Sequence, residues 1–328
     1  MREVFVNEEA RPRAGWRLLF QFLLNDAGVS LLGFVVLSAA ALPGGAGRPP
    51  PPYLLYTGAA LVAAGSVWWC GRFLDGRPFS GFGLRLDRAW WSDLGFGLVL
   101  GASLMTGIFL LQLAAGWVTV TGSFVTTNGG AFFPAILAPV VLFVCVGFYE
   151  ELVSRGYQLT NLAEGLNGVG VGPGAAIVLA WILSSSLFAV LHFSNPNASA
   201  LGTLNIFLAG MMLGTGYVLT GQLAIPIGLH VTWNLFQGNV FGFPVSGLDL
   251  TGATFIATRQ AGPTLLTGGP FGPEAGLIAP AAMAVGVGLI VLRVRRRTGK
   301  LSLHLPLAES PLTSRQRGTV TARSTPGS

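Results

Sequence analysis

The stretch from Pro134 to Asn161, PAILAPVVLFVCVGFYEELVSRGYQLTN, decides the class of fold. No charged residue occurs in it before Glu150, and about 20 apolar residues cross the hydrocarbon layer of a bilayer as a helix. Acidic and basic groups then appear together in EELVSR, within the same predicted helix. Ionisable residues inside an apolar helix are costly, so they indicate a membrane protein with a functional polar site.

The composition of the whole chain predicts the same class. Of the 328 residues, 52% are hydrophobic and 10% are charged, and the mean hydropathy is +0.64. Since a soluble domain carries about 25% charged residues, we expect lipid to surround most of the chain. The formal net charge of +6 comes from basic residues beside apolar segments, which is typical of membrane proteins and argues against a nucleic-acid surface.

Eight spans of roughly 20 residues each can be placed on the sequence. The predicted fold class is therefore all-α, a polytopic transmembrane helical bundle. The segments Thr121–Gly130 and Val240–Gly276 are predicted to be loops. The predicted spans are Trp16–Leu42, Tyr53–Cys70, Leu94–Val120, Pro134–Asn161, Gly174–Phe193, Leu201–Thr220, Pro226–Gly238 and Leu277–Leu292.

Two acidic residues and one arginine lie in the fourth predicted span. Glu151 and Arg155 are four residues apart, so they can pair on one helix face and neutralise each other. Glu150 lies about 100° around the helix from Glu151 and is free to point into a cavity. A carboxylate in such a low-dielectric cavity suits general-base work on a water molecule.

Histidines lie in two other predicted spans. Phe188 precedes His192 by four residues, so the ring can pack beside the imidazole. His230 and Asn234 repeat this spacing on the seventh span. Asn234 could orient His230, or both could donate hydrogen bonds to a developing oxyanion.

Each of these features also has an ordinary structural explanation. Glu151 with Arg155 alone is typical of a structural ion pair, and a single histidine such as His192 is more often packed or interfacial. His230 with Asn234 alone could be a hydrogen-bonded pair between helices. Their combination on three helices indicates a catalytic site. Other chemistries are not predicted, because the sequence has no HExxH zinc motif and no GxSxG serine motif.

These residues resemble the CPBP family, which includes the type II CAAX prenyl proteases and the abortive-infection (ABI) proteins. The family pattern is EExxxR, then FxxxH, then HxxxN, and this chain has all three motifs in that order. The resemblance covers about Phe132–Asn239, with weaker similarity in Phe79–Arg88 and Gly262–Glu274.

The resemblance implies an intramembrane endopeptidase that hydrolyses peptide bonds of membrane-associated substrates. By analogy, Glu150 and His192 would activate the attacking water, and His230 and Asn234 would stabilise the oxyanion. The residues implied to support the site are Glu151, Arg155 and Phe188.

The sequence does not decide on a cofactor. Glu150, His192 and His230 could supply three ligands to a divalent metal such as zinc, with an open position for water. The same groups could also work without a metal, and we favour that interpretation. The expected partners are the lipid bilayer and a membrane-associated protein or peptide substrate, with no nucleic acid.

Three parts of the chain are predicted. Residues 1–130 hold the N-terminal spans and a basic loop, residues 131–293 form the catalytic membrane domain, and residues 294–328 form a basic, disordered tail. The N-terminal arginines, the loop Arg72–Arg88 and the cluster Arg293–Arg297 lie on one side if there are eight spans. Both termini are therefore predicted to be cytoplasmic, in a bacterial plasma membrane.

Two functions of other classes remain open from the sequence. One is a non-catalytic membrane immunity or scaffold protein. The other is a proton-coupled transporter that uses Glu150 as its carrier. A decayed, non-catalytic member of the family would be expected to lack at least one of Glu150, His192 and His230, and this chain has all three.

Overall fold

The protein is a bundle of helices. The structure, a computed structural model, describes residues 2–41, 52–127, 129–168, 170–250 and 252–311. Helix makes up 72% of it, which confirms the predicted helical membrane bundle.

Eight helices in these ranges correspond to the predicted spans. They are α1 (Ala14–Ala41), α2 (Pro52–Cys70), α3 (Arg88–Ala114), α4 (Phe132–Leu166), α5 (Pro173–Leu191), α6 (Ala200–Thr220), α7 (Ala224–Leu235) and α8 (Ile278–Thr298). Shorter helical turns cover Arg2–Phe5, Gly71–Asp75, Phe79–Phe82, Phe236–Val240, Thr264–Thr267, Gly269–Phe271, Pro273–Ala275 and Leu305–Ala308.

Seven of these helices are long and apolar enough to cross a membrane. The exception is α7, which has 12 residues. The π-helical turn Phe236–Val240 directly continues it, and the two together are about 25 Å long at about 1.5 Å per residue, still short of the roughly 30 Å of bilayer hydrocarbon. The seventh predicted span is therefore a short helix that the rest of the bundle surrounds.

Close helix packing holds α7 in the bundle. A Cβ atom added at Gly97 or Gly101 of α3 would collide with backbone atoms of α7, and one added at Gly228 of α7 would collide with the backbone of α3. Small residues four apart permit this close approach of two helices in membranes. Different faces of α7 then pack into two cores. Ile227 belongs to the core around α4 and α6, and Leu229 belongs to the core around α3 and α8.

Helix α4 changes its winding just after the acidic pair. It is α-helical over Phe132–Glu151, has a π-helical segment at Leu152–Leu159 and returns to α-helix at Thr160–Leu166. Such π-helical segments often occur at functional sites. The helix therefore extends beyond the Asn161 end that the sequence predicted.

Two strands correct the prediction of loops on either side of the central helices. Strand β1 (Val118–Thr126) pairs antiparallel with β2 (Ala253–Gln260), from Val118 opposite Gln260 to Thr126 opposite Ala253, with a shift of register between Val120 and Gly122. Both segments are rich in the Thr, Val, Ile and Phe residues that favour strands. The small, uncharged residues of the first segment and the Gly, Thr and Pro residues of the second predicted loops, because neither strand has a pairing partner nearby in the sequence.

A buried group of charges joins the N-terminal segment to the ends of α2 and α4. Glu164 lies 2.5 Å from an Nη2 atom of Arg11, 2.9 Å from that of Arg17 and 3.1 Å from that of Arg77. Arg17 also lies 2.7 Å from Asp75. We call these five residues the Glu164 cluster.

The tail is ordered further than the sequence predicted. Helix α8 continues past residue 294, and residues 299–311 pack on the ends of α4 and α6, where Leu307 and Ala308 are buried. Asn167 Nδ2 donates to the Ala308 carbonyl at 2.8 Å, and the His304 N–H donates to the Val218 carbonyl at 2.8 Å. The prediction of a disordered tail from residue 294 is therefore wrong for residues 294–311, because apolar side chains of this segment are buried against the helices. Residues 312–328 lie outside the described residues.

Candidate active site

A cavity of about 380 Å³ lies among α1, α2 and α4 to α7. Its wall includes Glu150 of α4, His230 and Asn234 of α7, and His192, which directly follows α5. Simple span counting would place the two histidines at different depths in the membrane. Since α7 is short and α5 ends at Leu191, both imidazoles reach the same cavity as Glu150.

Glu151 forms the buried support of this cavity. Its Oε1 atom accepts a hydrogen bond of 2.8 Å from Arg155 Nη1 and lies 2.8 Å from His230 Nδ1. Arg155 Nη2 donates to the Gly210 carbonyl at 3.3 Å, which ties α4 to α6. The structure thus shows the predicted Glu151–Arg155 pair, with the histidine as a third member.

His230 is oriented by Glu151 of α4. Its Nδ1 atom donates to the carboxylate, so the ring turns Nε2 toward the cavity, 3.8 Å from Glu150 Oε2. Glu151, and not Asn234, therefore binds Nδ1 of His230, contrary to the prediction that Asn234 could orient this ring. Asn234 lies one helical turn further along α7 and lines the cavity itself.

Glu150 points away from the Glu151–Arg155 pair, as the helical spacing predicted. Its side chain is 20% exposed, whereas that of Glu151 is fully buried. The Tyr149 hydroxyl donates to Glu150 Oε1 at 3.3 Å. Glu150 is thus a cavity-facing carboxylate with one hydroxyl contact and one imidazole neighbour.

His192 is held through its own helix. Its Nδ1 atom lies 2.7 Å from the Phe188 carbonyl, which can only accept, so Nδ1 carries a proton and Nε2 is left to accept one. The rings of Phe188 and His192 are 4.6 Å apart, which is the predicted packing. The guanidinium of Arg155, which donates to Glu151, lies 4.4 Å from the centre of the Phe188 ring. Phe188 therefore connects the two parts of the site.

Comparison with known proteins identifies the region that builds this cavity. Residues 131–236 match the family model described as type II CAAX prenyl endopeptidase Rce1-like. The match supports a relationship of this part of the chain to the CPBP/CAAX protease family. No curated protein and no solved structure gave a match to the chain.

The limits of the matched region coincide with structural boundaries. It begins one residue before α4 and ends one residue after α7. The seven residues that the sequence predicted for the site all lie within it: Glu150, Glu151, Arg155, Phe188, His192, His230 and Asn234. The earlier spans, both strands and the tail lie outside the matched residues.

Several cavity residues were not predicted from the sequence. Tyr149 and Tyr56 are ordinary aromatic residues of apolar spans, and nothing in their spacing points to the site. Asn25 is a polar residue within the first predicted span, and nothing in its spacing relates it to the site. Glu274 lies outside the matched region, in the 3₁₀ turn Pro273–Ala275. Burial raises the pKa of the Glu274 carboxyl, opposed by its hydrogen bond from Ser246.

The described side chains do not form the three-ligand metal site that the sequence left open. Across the described ranges, no group of three or more His, Cys, Asp or Glu side chains is arranged to hold a metal ion. His230 directs one ring nitrogen to Glu151, and its other nitrogen lies 3.8 Å from Glu150. We therefore derive no step of the chemistry through a bound metal.

Proposed function

We propose that this chain is an intramembrane endopeptidase that hydrolyses peptide bonds of membrane-associated substrates. The observation that carries the proposal is the convergence of Glu150, His192, His230 and Asn234 on one cavity inside an apolar bundle. The match to the CPBP/CAAX protease family supports the reaction class. Peptide hydrolysis needs a base for water and donors for the oxyanion, and this set supplies both.

In this proposal, Glu150 and His192 activate the attacking water. Glu150 presents a carboxylate to the cavity, and His192 presents Nε2 as an acceptor because its Nδ1 donates to the Phe188 carbonyl. The water would lose its proton to this pair as it attacks the substrate carbonyl. The same proton would later pass to the leaving amine.

His230 and Asn234 would stabilise the oxyanion of the tetrahedral intermediate. Since Nδ1 of His230 donates to Glu151, Nε2 can donate only when the ring is an imidazolium. Glu151 and Glu150 are both adjacent and favour that positive form. The Asn234 amide needs no change of protonation to donate. Glu151 and Arg155 act behind the cavity, as supports.

The test compares the termini of membrane proteins in cells that produce the wild type or Glu150→Gln. The new termini seen with the wild type should disappear with Glu150→Gln, which keeps the shape of the side chain but removes the base. Asp26→Asn is the matched control, since Asp26 is another acid in a spanning helix and is absent from the cavity wall. Its pattern of termini should equal that of the wild type.

The competing functions give different results in the same set of variants. Identical termini in the wild type and Glu150→Gln, with equal protein levels and thermal stability, would reject the peptidase. A scaffold would keep its binding partners in Glu150→Gln. A transporter would show substrate flux in liposomes that persists in His230→Ala.

A further inference from the structure

We propose that Glu274 is a positioning residue for His192: its carboxylate stabilises the imidazolium that forms when His192 takes a proton from the attacking water. This inference rests on the proposed function. It adds a residue that lies outside the matched family domain and outside its three motifs.

The position of Glu274 is unusual for an acid in a loop. It lies in the 3₁₀ turn that leads into α8, is 4% exposed and still forms part of the cavity wall. Burying a carboxylate is costly unless hydrogen bonds or an opposite charge compensate it. In the described chain no Lys or Arg lines the cavity, so the cationic partner available on its wall is a histidine.

A chain of hydrogen bonds connects Glu274 to the turn that carries His192. The Ser246 N–H donates to Glu274 Oε1, and the Ser246 carbonyl accepts from Asn195 Nδ2 at 3.0 Å. The Asn195 N–H in turn donates to the His192 carbonyl at 3.1 Å. The acid and the backbone turn that carries His192 are therefore held together through Ser246 and Asn195, while the Phe188 carbonyl orients the imidazole.

The two groups also act on each other electrostatically. His192 is near enough to lower the pKa of Glu274, against the larger effect of burial, which raises it. By the same interaction an ionised Glu274 favours a positive charge on His192, and this effect is strong where the dielectric is low. The other charged groups around His192 are Glu150 and His230 on the cavity wall and Arg155 behind Phe188.

This arrangement gives the two cavity acids different tasks. Glu150 faces His230, whose ring nitrogen is 3.8 Å away, and serves the water directly. Glu274 receives a backbone N–H and shares the cavity wall with His192, so in this proposal it acts through that imidazole. An acid that orients and charges a histidine base is a recurring device of hydrolytic sites.

The test uses the small number of histidines in the chain. Only His192, His230 and His304 are present, so ¹⁵N imidazole signals of the protein in nanodiscs can be assigned with single substitutions. Glu274→Gln should move the ¹⁵N imidazole signals of His192 toward those of the neutral ring at the same pH, because the variant removes a negative charge from the cavity wall. The His304 signal should not change.

Two further variants make the result decisive. Asn195→Ala breaks the hydrogen-bonded chain and should shift His192 in the same direction, even if Glu274→Gln folds poorly. Glu8→Gln is the control, because Glu8 is an exposed acid far from His192 in the sequence. The His192 signal of this variant should equal that of the wild type.

An unchanged His192 imidazolium fraction in folded Glu274→Gln overturns the proposal. The signal does not depend on hydrolysis, so a chain without peptidase activity would disprove the proposed function and still show whether Glu274 acts on His192. Where hydrolysis is measured, Glu274→Gln should lower kcat and leave KM unchanged. Glu274→Asp should restore part of the loss, because it keeps the charge.

Discussion

Glu151 and His230 are joined by a hydrogen bond of 2.8 Å between Oε1 and Nδ1, and the same oxygen accepts Arg155 at 2.8 Å. Glu150 faces the cavity, whereas Glu151 is buried and binds His230 and Arg155. Two adjacent glutamates of one motif therefore have different physical roles, and their substitutions should fail in different ways.

Glu151→Gln should destabilise the protein, whereas Glu150→Gln should not. Removing the buried charge leaves Arg155 without its counter-ion, and breaking a buried pair typically costs about 3–5 kcal/mol. Unfolding in mixed micelles, followed by tryptophan fluorescence, measures the difference. Equal stabilities of the two variants would show that Arg155 does not depend on Glu151.

Gly97→Ala should loosen the packing of α7 on α3. Its new Cβ would meet the backbone around Ile225 and Gly228, and overpacking of this kind costs about 1–3 kcal/mol. Because α7 carries His230, activity should fall together with thermal stability. Gly107→Ala on the same helix is the control, since a Cβ there meets no atom within 4 Å. A stable Gly97→Ala variant would contradict the packing described.

Glu164→Gln should release the N-terminal segment. Glu164 contacts three buried arginines, Arg11, Arg17 and Arg77. Its neutral form removes this shared counter-ion and leaves Arg11 with Glu9 and Arg17 with Asp75, and breaking a buried pair of charges typically costs about 3–5 kcal/mol. Limited proteolysis should then cleave before α1, while Glu8→Gln stays resistant. Resistance of both variants would mean that other contacts hold the segment.

The tail should undock as the pH falls. Burial, with a smaller contribution from Arg85, lowers the pKa of His304 below its usual 6.5, and Glu309 opposes this. The docked form therefore binds fewer protons than the free tail. Docking is complete above about pH 6.5 and weakens as the pH falls below that value. Hydrogen exchange of residues 301–311 at pH 7.5 and 5.5 measures the change, and His304→Gln should remove it.

The sequence predicted those parts of the structure that local patterns determine. Apolar runs of about 20 residues fixed the helices, and four-residue spacings predicted the contacts of Glu151 with Arg155 and of Phe188 with His192. The direction of Glu150 followed from the angle between neighbouring helical residues.

Contacts between distant segments could not be predicted in this way. The partner of β1 lies more than a hundred residues away in the sequence, and neither strand has a hairpin turn to indicate pairing. Glu274 reaches the cavity only because the turn before α8 folds back over it. Similarly, the apolar residues near Leu307 are too few to predict a helix, and their docking depends on surface supplied by α4 and α6.

The strand pair has a consequence for the two helices that carry the site. Strand β1 immediately precedes α4 and β2 follows α7, and the rings of Phe132 and Phe255 lie 4.9 Å apart. Thr258 of β2 also donates to the Phe241 carbonyl just beyond α7, at 2.7 Å. These contacts fasten together the neighbouring ends of the two helices that carry Glu150 and His230. The spacing between the wall that carries Glu150 and the wall that carries His230 therefore depends on a strand pair that lies outside the matched residues.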